Sequence, residues 1–392
     1  ERMRHMLKKN ITFIYMDSAE KAFMTLLAEE ANKRGFKTRI TNNKFEKCEI
    51  GVYCQHVNFP QYSKFSVIML HDIIQQYGNW PDIWLREPWN KYDIGILPSR
   101  QWVENWKKCS QYFYTKPKLG MYQVGWPKAD RVANIDKKKY RKNFNIQYNL
   151  DDNKPTILYA PAWENDRKQD DFVKAMLELN VNILIKQWDA DPEKFPQVVA
   201  NIKEMYELHK DIEGVTILPP SMNIFDAILA CDILVSEESS TMSEAAMLGI
   251  PAISVSDWLI PDVVPSRYPE CNYDFVIKST KRNLKDCVYE ILENYSVYKR
   301  NVEVYSEQNF SNIGCSCQMI IDIIEDAISE KNIRYKYLKP ANKERVPLKK
   351  YIFFVWISIK REIHDNYCER HPNAMKVWAI FSKIKKILKN KN

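Results

Sequence analysis

The sequence predicts an α/β protein of two Rossmann-type parallel-sheet domains facing a cleft, followed by a basic helical tail. Three observations predict it. Short β-rich apolar runs alternate with helical stretches, the alternation restarts after a polar break near residue 150, and positive charge collects after residue 330. A chain of 392 residues is also too long for a single hydrophobic core, so two domains of ordinary size are expected.

The elements follow in order. Ile11–Tyr15 reads as a strand, residues 18–34 as a helix and, after Gly35, Lys37–Ile40 as a second strand, which together make a βαβ unit. Ile50–Cys54, Ser66–Leu70, Ile94–Leu97 and Met121–Val124 supply further strands, completing a first domain over residues 1–150. Residues 136–154, rich in Lys, Asn and Asp and followed by Pro155, read as the interdomain linker. Thr156–Tyr159, Asn182–Ile185, Val215–Leu218, Ile233–Val235 and Ala252–Val255 repeat the pattern in a second domain over 151–330, whose last helix is expected at Ile313–Ser329. Two such domains in series form a GT-B-like layout. No GxGxxG follows the first strand, and the nine glycines form no phosphate-cradling P-loop, which argues against a nicotinamide, flavin or P-loop site.

Hydrophobic residues make up 45% and charged residues 28%, the balance of a folded globular chain. The net charge of +8 is unevenly placed. Residues 331–392 hold 17 Lys/Arg against four Asp/Glu, a surplus of 13 that leaves residues 1–330 at −5. The body is therefore no polyanion binder by charge. Nine cysteines, at 48, 54, 109, 231, 271, 287, 315, 317 and 368, are odd in number and form no CxxC pair, so reduced thiols are expected rather than zinc ligands or disulfides. The chain shows no secretory signal, and its longest apolar run, at 351–359, is about half a membrane span. A cytoplasmic protein is the expectation.

The most informative segment runs from Cys231 to Ser254. Its strand ends in the polar loop Ser236-Glu-Glu-Ser-Ser, and a helix begins near Thr241 that Ser239, Ser240 or Thr241 can cap. Free N–H groups at such a start form an anion site, suited to the diphosphate of an activated donor without a metal ion. Glu244, on the first turn, is placed to accept hydrogen bonds from ribose hydroxyls. The alternative is a simple helix cap with Glu244 favouring the dipole. The position at the carboxyl edge of a parallel sheet, where ligands of open α/β folds bind, supports the anion site.

His71 follows strand Ser66–Leu70 and so stands at a carboxyl edge of the first sheet. An imidazole there suits a general base that deprotonates an acceptor hydroxyl, with Asp72 orienting or charge-stabilising it, although adjacent residues on extended backbone point apart. The competing reading is a histidine bonded to a loop carbonyl. His5, His56, His209, His364 and His371 read as surface or structural.

Over roughly residues 65–330 the chain resembles the CDP-glycerol:poly(glycerophosphate) glycerophosphotransferase family, GT-B enzymes of the teichoic-acid-polymerase type. Ile157-Leu-Tyr-Ala-Pro-Ala-Trp-Glu is similar to the family's LYAPTWR loop, Asn223–Ser240 to its donor-phosphate stretch, and Tyr122-Gln-Val-Gly-Trp-Pro-Lys-Ala-Asp to its GyPRnD segment. His71 with Gly78 loosely matches a WHGTPLK..G motif, which implies that His71 is the catalytic base. The resemblance implies a donor site at Ala160, Pro161, Trp163, Lys186, Gln187, Leu218, Pro219, Met222, Asn223, Glu238, Ser239, Ser240, Thr241 and Glu244, with Lys186 as phosphate counter-charge and the Leu218–Asn223 loop beside the base. The chain departs from the family in three places. A second family histidine, in iiKxHP, is replaced by Gln187 or Trp188, PTWR becomes Pro161-Ala-Trp-Glu, and DYSSVMFD becomes Glu238-Ser-Ser-Thr-Met-Ser-Glu. The implied donor is CDP-glycerol, bound as substrate with no cofactor and no metal, and the implied acceptor is a polymer or lipid-linked hydroxyl. SSxxxEAxxLGxP also occurs in sugar-transferring GT-B enzymes and nucleotide-sugar epimerases, so a nucleotide-sugar transferase, a 2-epimerase and a non-catalytic homologue stand as alternatives.

In the tail, Val377, Trp378, Phe381, Ile384 and Leu388 recur at three- and four-residue steps among lysines, which predicts a basic amphipathic helix over Ala374–Asn390. An anionic membrane surface, on the inner face of the cell membrane, is the expected partner. Nucleic acid is disfavoured because the body is acidic and carries no recognised nucleic-acid module. Packing of the stripe on the first domain or on another subunit is the third option, and the oligomeric state is not legible.

Overall fold

The computed structural model describes residues 8–55, 58–73, 84, 87–260, 275–341 and 346–367, together with residues 371, 373, 374 and 376. The first body contains β1 (Asn10–Ile14), α1 (Ser18–Lys33), β2 (Lys37–Thr41), β3 (Cys48–Cys54), β4 (Ser63–Met69), β5 (Ile94–Leu97), α2 (Arg100–Cys109) and β6 (Met121–Gln123). Its six strands are parallel in the order β2-β1-β3-β4-β5-β6. Val67 of β4 sits opposite both Val52 of β3 and Ile94 of β5, so the apolar runs read from the sequence lie side by side at the sheet centre. Such strands are covered on both faces and need continuous apolar sequence. Helix α1 starts at Asp17, whose side chain accepts from Glu20 N at 2.8 Å, while Glu20 accepts from Met16 N at 2.6 Å. Phe23, Met24, Leu27, Ala28 and Ala31 form its buried stripe.

The second body contains α3 (Lys137–Tyr148), β7 (Thr156–Tyr159), α4 (Lys168–Leu177), β8 (Asn182–Ile185), α5 (Pro196–His209), β9 (Val215–Ile217), α6 (Ile224–Ile228), β10 (Ile233–Ser236), α7 (Thr241–Met247), β11 (Ala252–Val255), β12 (Val276–Ser279), α8 (Leu284–Glu293) and α9 (Tyr295–Asn309). Its strands are parallel in the order β12-β11-β10-β7-β8-β9. The chain winds outward from β7 to β9 and then restarts at β10 on the other side of β7, which opens a crevice at the carboxyl ends of β7 and β10. β12 was not expected from sequence, because a half-exposed edge strand lacks the apolar run of its neighbours.

Both domain boundaries drawn from the sequence require correction. Residues 136–154 are not a free linker: most of them form α3, which packs on the second body through Phe144 and an Arg141–Asp232 fork with distances of 2.6 and 2.5 Å. At the far end, helix α10 (Ser316–Ile328) leaves the second body, and Ile320, Ile321, Ile323 and Ile324 fill the core of the first. The two crossings touch. Asp130 accepts from the backbone N–H groups of Gly314, Ser316 and Cys317 at 3.1, 3.0 and 2.6 Å, capping α10 from the outgoing segment. Gly125, at φ +148°, leaves no room for a Cβ, which would stand 2.5 Å from Ser316 Oγ. Local periodicity marks a helix but not the body whose core receives its apolar face, and that decided the error.

Residues 331–341 run back along the first body, with Leu338 N bonded to Met121 O at 2.7 Å. Helix α11 (Leu348–Tyr367) then buries Phe354 against Tyr112 and Tyr114, at centroid distances of 4.9 and 5.2 Å. Its opposite face carries Leu348, Ile352, Trp356, Ile359, Ile363 and Tyr367, spaced by three or four residues and 52–73% exposed. Among the described residues no helix is long and apolar enough to cross a membrane. The amphipathic helix expected over 374–390 lies almost wholly outside the described residues, as do Gly78, His5 and His56. The seven described cysteines are free thiols.

Candidate functional site

A cavity of about 760 Å³ lies between the two sheets and takes its walls from both bodies. On the first-body side the loop after β1 contributes Asp17, Ser18 and Glu20, and the loop after β4 contributes His71 and Asp72. Opposite stand the loops after β7 (Ala160, Pro161, Trp163), β8 (Lys186, Gln187) and β9 (Met222, Asn223), and the β10–α7 turn (Glu238, Ser239, Ser240, Thr241, Glu244). Leu218 and Pro219 do not line it. Leu218 closes the end of β9 through a 2.8 Å bond from its N–H to Ile185 O and is buried in the core, and Pro219 faces outward. Pro220 and Ser221 line the cavity in their place.

His71 and Asp72 do meet, contrary to the expectation that neighbouring side chains diverge, because the chain turns as it leaves β4. His71 Nε2 lies 3.0 Å from Asp72 Oδ2. Burial alone would lower the imidazole's proton affinity. The charge and hydrogen bond of Asp72, reinforced by Glu20 and Asp17, outweigh it and raise the pKa to about 9.

The opposite wall is braced by a buried polar layer. Glu237, fully buried, accepts from Ala162 N at 3.0 Å, Trp163 N at 3.2 Å and Lys168 Nζ at 3.2 Å, and so pins the β7 loop to the β10 loop. Glu164 accepts from Tyr159 Oη at 2.9 Å and Gln187 Nε2 at 2.7 Å. Burial pushes the Glu164 carboxyl up to about 7 against those bonds. His209 is buried and structural, bonded to Gln169 and Asp170. At the start of α7 the cap comes from Ser239, whose Oγ accepts from Thr241 N at 3.3 Å, while Ser240 makes no side-chain cap bond.

Glu244 already has protein partners: Trp126 Nε1 at 2.9 Å and Lys128 Nζ at 3.5 Å. Arg131 pairs with Asp226 at 2.9 Å. Lys186 instead donates to the carbonyls of Gln187 and Pro220 at 3.1 and 2.8 Å, and burial lowers its ammonium to about 8. Carbonyls are readily exchanged for a phosphate oxygen, so Lys186 is a cation an incoming anion can recruit.

Lys128, Arg131, Asp17 and Glu20 also line the cavity and were not singled out from sequence, and Trp188, noted there only as a departure from the family, lines it too. The Asp17-x-x-Glu20 capping pattern after β1 was a legible signal for one edge of the cavity. Lys128 and Arg131 lie in and just beyond the Gly125-Trp-Pro-Lys-Ala-Asp segment, whose place between the bodies only the fold reveals.

Residues 72–259 match the family model of CDP-glycerol:poly(glycerophosphate) glycerophosphotransferase. Over 278 residues the chain is 24% identical to the teichoic acid glycerol-phosphate primase of Bacillus subtilis (strain 168), covering 66% of this chain and 65% of that protein. The fold is similar to the wall teichoic acid polymerase TagF, with a TM-score of 0.59 at 15% identity over 82% of this chain and 89% of that one. It is also similar to a putative UDP-N-acetylglucosamine 2-epimerase from Listeria monocytogenes, with a TM-score of 0.55 at 10% identity over 85% of this chain and all of that one. Around this interdomain cavity, over residues 72–259 and so just under half of the chain, the protein is similar to the CDP-glycerol:poly(glycerophosphate) glycerophosphotransferase family.

Proposed function

We propose that the protein transfers glycerol phosphate, or a related polyol phosphate, from a CDP-activated donor to a hydroxyl of a teichoic-acid-like cell-wall polymer or its lipid-linked precursor. The carrying observation is that one cavity holds His71 and Asp72 of the first body across from Lys186 and the Ser239–Thr241 turn of the second. The acceptor oxygen forms a bond to the donor's β-phosphorus as the bridging P–O bond breaks. CMP departs with that electron pair, and the hydroxyl proton passes to His71. Lys186 and the amides at the start of α7 take the diphosphate charge, and Met222 and Asn223 flank the base. The step requires neutral His71, although a pKa of about 9 keeps the free imidazole mostly protonated at neutral pH.

A thermal-shift panel of CDP-glycerol, CDP-ribitol, CMP, UDP-N-acetylglucosamine and UDP tests the donor. A cytidine donor at a hundred times its Kd should stabilise the fold by about 2.7 kcal/mol. A response to uridine nucleotides alone would reassign the protein to sugar transfer, and silence to all five would defeat both readings.

The same reading sets the protein on the inner face of the cell membrane. It is supported by the exposed apolar stripe of α11, flanked by Lys349, Lys350 and Lys360, since each lysine near an anionic surface adds about 1 kcal/mol. Sedimentation with phosphatidylglycerol vesicles should be lost in an Ile352→Asp, Trp356→Glu double variant. Unchanged sedimentation of that variant would remove α11 from the interface.

A further inference from the structure

Glu244 lines the cavity from the first turn of α7, yet what holds its side chain comes from outside the second sheet. Its Oε1 accepts from Trp126 Nε1 at 2.9 Å and lies 3.5 Å from Lys128 Nζ. Both partners sit between β6 and α3, on the outgoing crossing from the first body to the second. The two contacts share one oxygen, so the other is the one a ligand can engage.

Trp126 is itself held by both backbone and ring. Its backbone is extended, at φ −106° and ψ 107°, as Pro127 favours for the residue before it. Its side chain is buried and packs in the core of the second body. The same ring meets Phe23 of α1 at a centroid distance of 5.7 Å and an interplanar angle of 41°, and Lys128 Nζ stands 5.3 Å from its centre. Phe23 belongs to the core of the first body and follows Glu20, a cavity residue, by one helical turn. One indole thus ties a carboxylate on the second-body wall to the helix that carries the carboxylates beside His71.

A buried indole N–H needs an acceptor, and a backbone carbonyl would serve. Trp126 gives its N–H instead to a side-chain carboxylate at the cavity, in a charge-assisted bond stronger than one to a carbonyl. A glutamate has three side-chain torsions, and without the indole Glu244 is free to close on Lys128, which would withdraw both charges from the cavity. We propose that Trp126 is a positioning residue: it holds Glu244 in the orientation that the nucleotide meets, and its ring contact with Phe23 makes that orientation depend on the packing of the two bodies. The proposal rests on the transferase reading only in taking Glu244 as a nucleotide contact.

The test pairs calorimetric titration of CMP with steady-state kinetics on CDP-glycerol, using the full chain. Trp126→Phe keeps a ring against Phe23 and loses the N–H. It should weaken CMP and raise the donor KM about tenfold, the loss expected of one charge-assisted hydrogen bond, while kcat stays within about twofold. Phe23→Leu keeps the N–H and loses the ring contact, and should raise KM about threefold with the same constancy of kcat. In a Glu244→Ala background, where the indole has nothing to hold, Trp126→Phe should change CMP affinity by less than about twofold. Additive losses there would overturn the proposal, as would CMP binding by Trp126→Phe equal to that of the wild type, or a wild type that binds no CMP. A fall in kcat and in the unfolding midpoint with KM unchanged would also overturn it, since Trp126 would then serve packing alone. If CDP-glycerol is not turned over but CMP binding falls as stated, the transferase reading fails and the positioning role stands.

Discussion

On the second-body wall, the buried charges Glu237 and Lys168 face each other behind the β7 loop, with backbone N–H groups of Ala162 and Trp163 completing the carboxylate's bonds. On the first-body wall, Asp17, Glu20 and Asp72 stand at the cavity itself and act together on one imidazole. The second wall uses its polar groups to hold loops still; the first uses them to set a proton affinity. A nucleotide needs a fixed cradle, whereas proton transfer needs a group whose charge can change. On the proposed function, the difference in wiring separates nucleotide binding from proton transfer within one cavity.

Substitutions can break that separation. His71→Ala should lower kcat/KM by about 10²–10⁴-fold while leaving the unfolding midpoint in place. Retained activity would remove His71 from the chemistry. On the other wall, Lys168→Met leaves Glu237 buried without its cation and should cost about 3–5 kcal/mol in denaturant unfolding. A loss confined to kcat would contradict the bracing role. The smallest effect concerns pH. The base must be neutral, so kcat/KM should rise as pH approaches about 9, and Lys186 must stay charged, so it should fall above about 8. A narrow optimum between the two follows. Asp72→Asn removes a charge that supports the imidazolium and should move the rising limb to lower pH; an unmoved limb would show that another group titrates.

The strands were legible because sheets buried on both faces require unbroken apolar runs such as Ile157-Leu-Tyr and Ile233-Leu-Val. Much of the cavity lining was legible for a related reason: in open α/β folds the polar residues just after such runs stand at the crevice, and His71, Lys186 and Ser239–Thr241 all do. Leu218 shows the limit, since it lies just past the end of β9, as a lining residue would, yet its side chain packs into the core. Lys128 was illegible because its position depends on two chain crossings, one of them locked by Asp130 at the start of α10, 184 residues downstream at Gly314.

By itself, then, the sequence determined which segments are strands and helices, how charge divides between body and tail, and which loops follow which strands. Those properties are written in nearest neighbours and short periods. Tertiary structure alone decided that α10 closes the first core, that Glu237 finds Lys168 and that His71 sits among three carboxylates. Each of those depends on residues far apart in the chain being brought within a few ångströms, and neither burial nor proton affinity exists until that has happened.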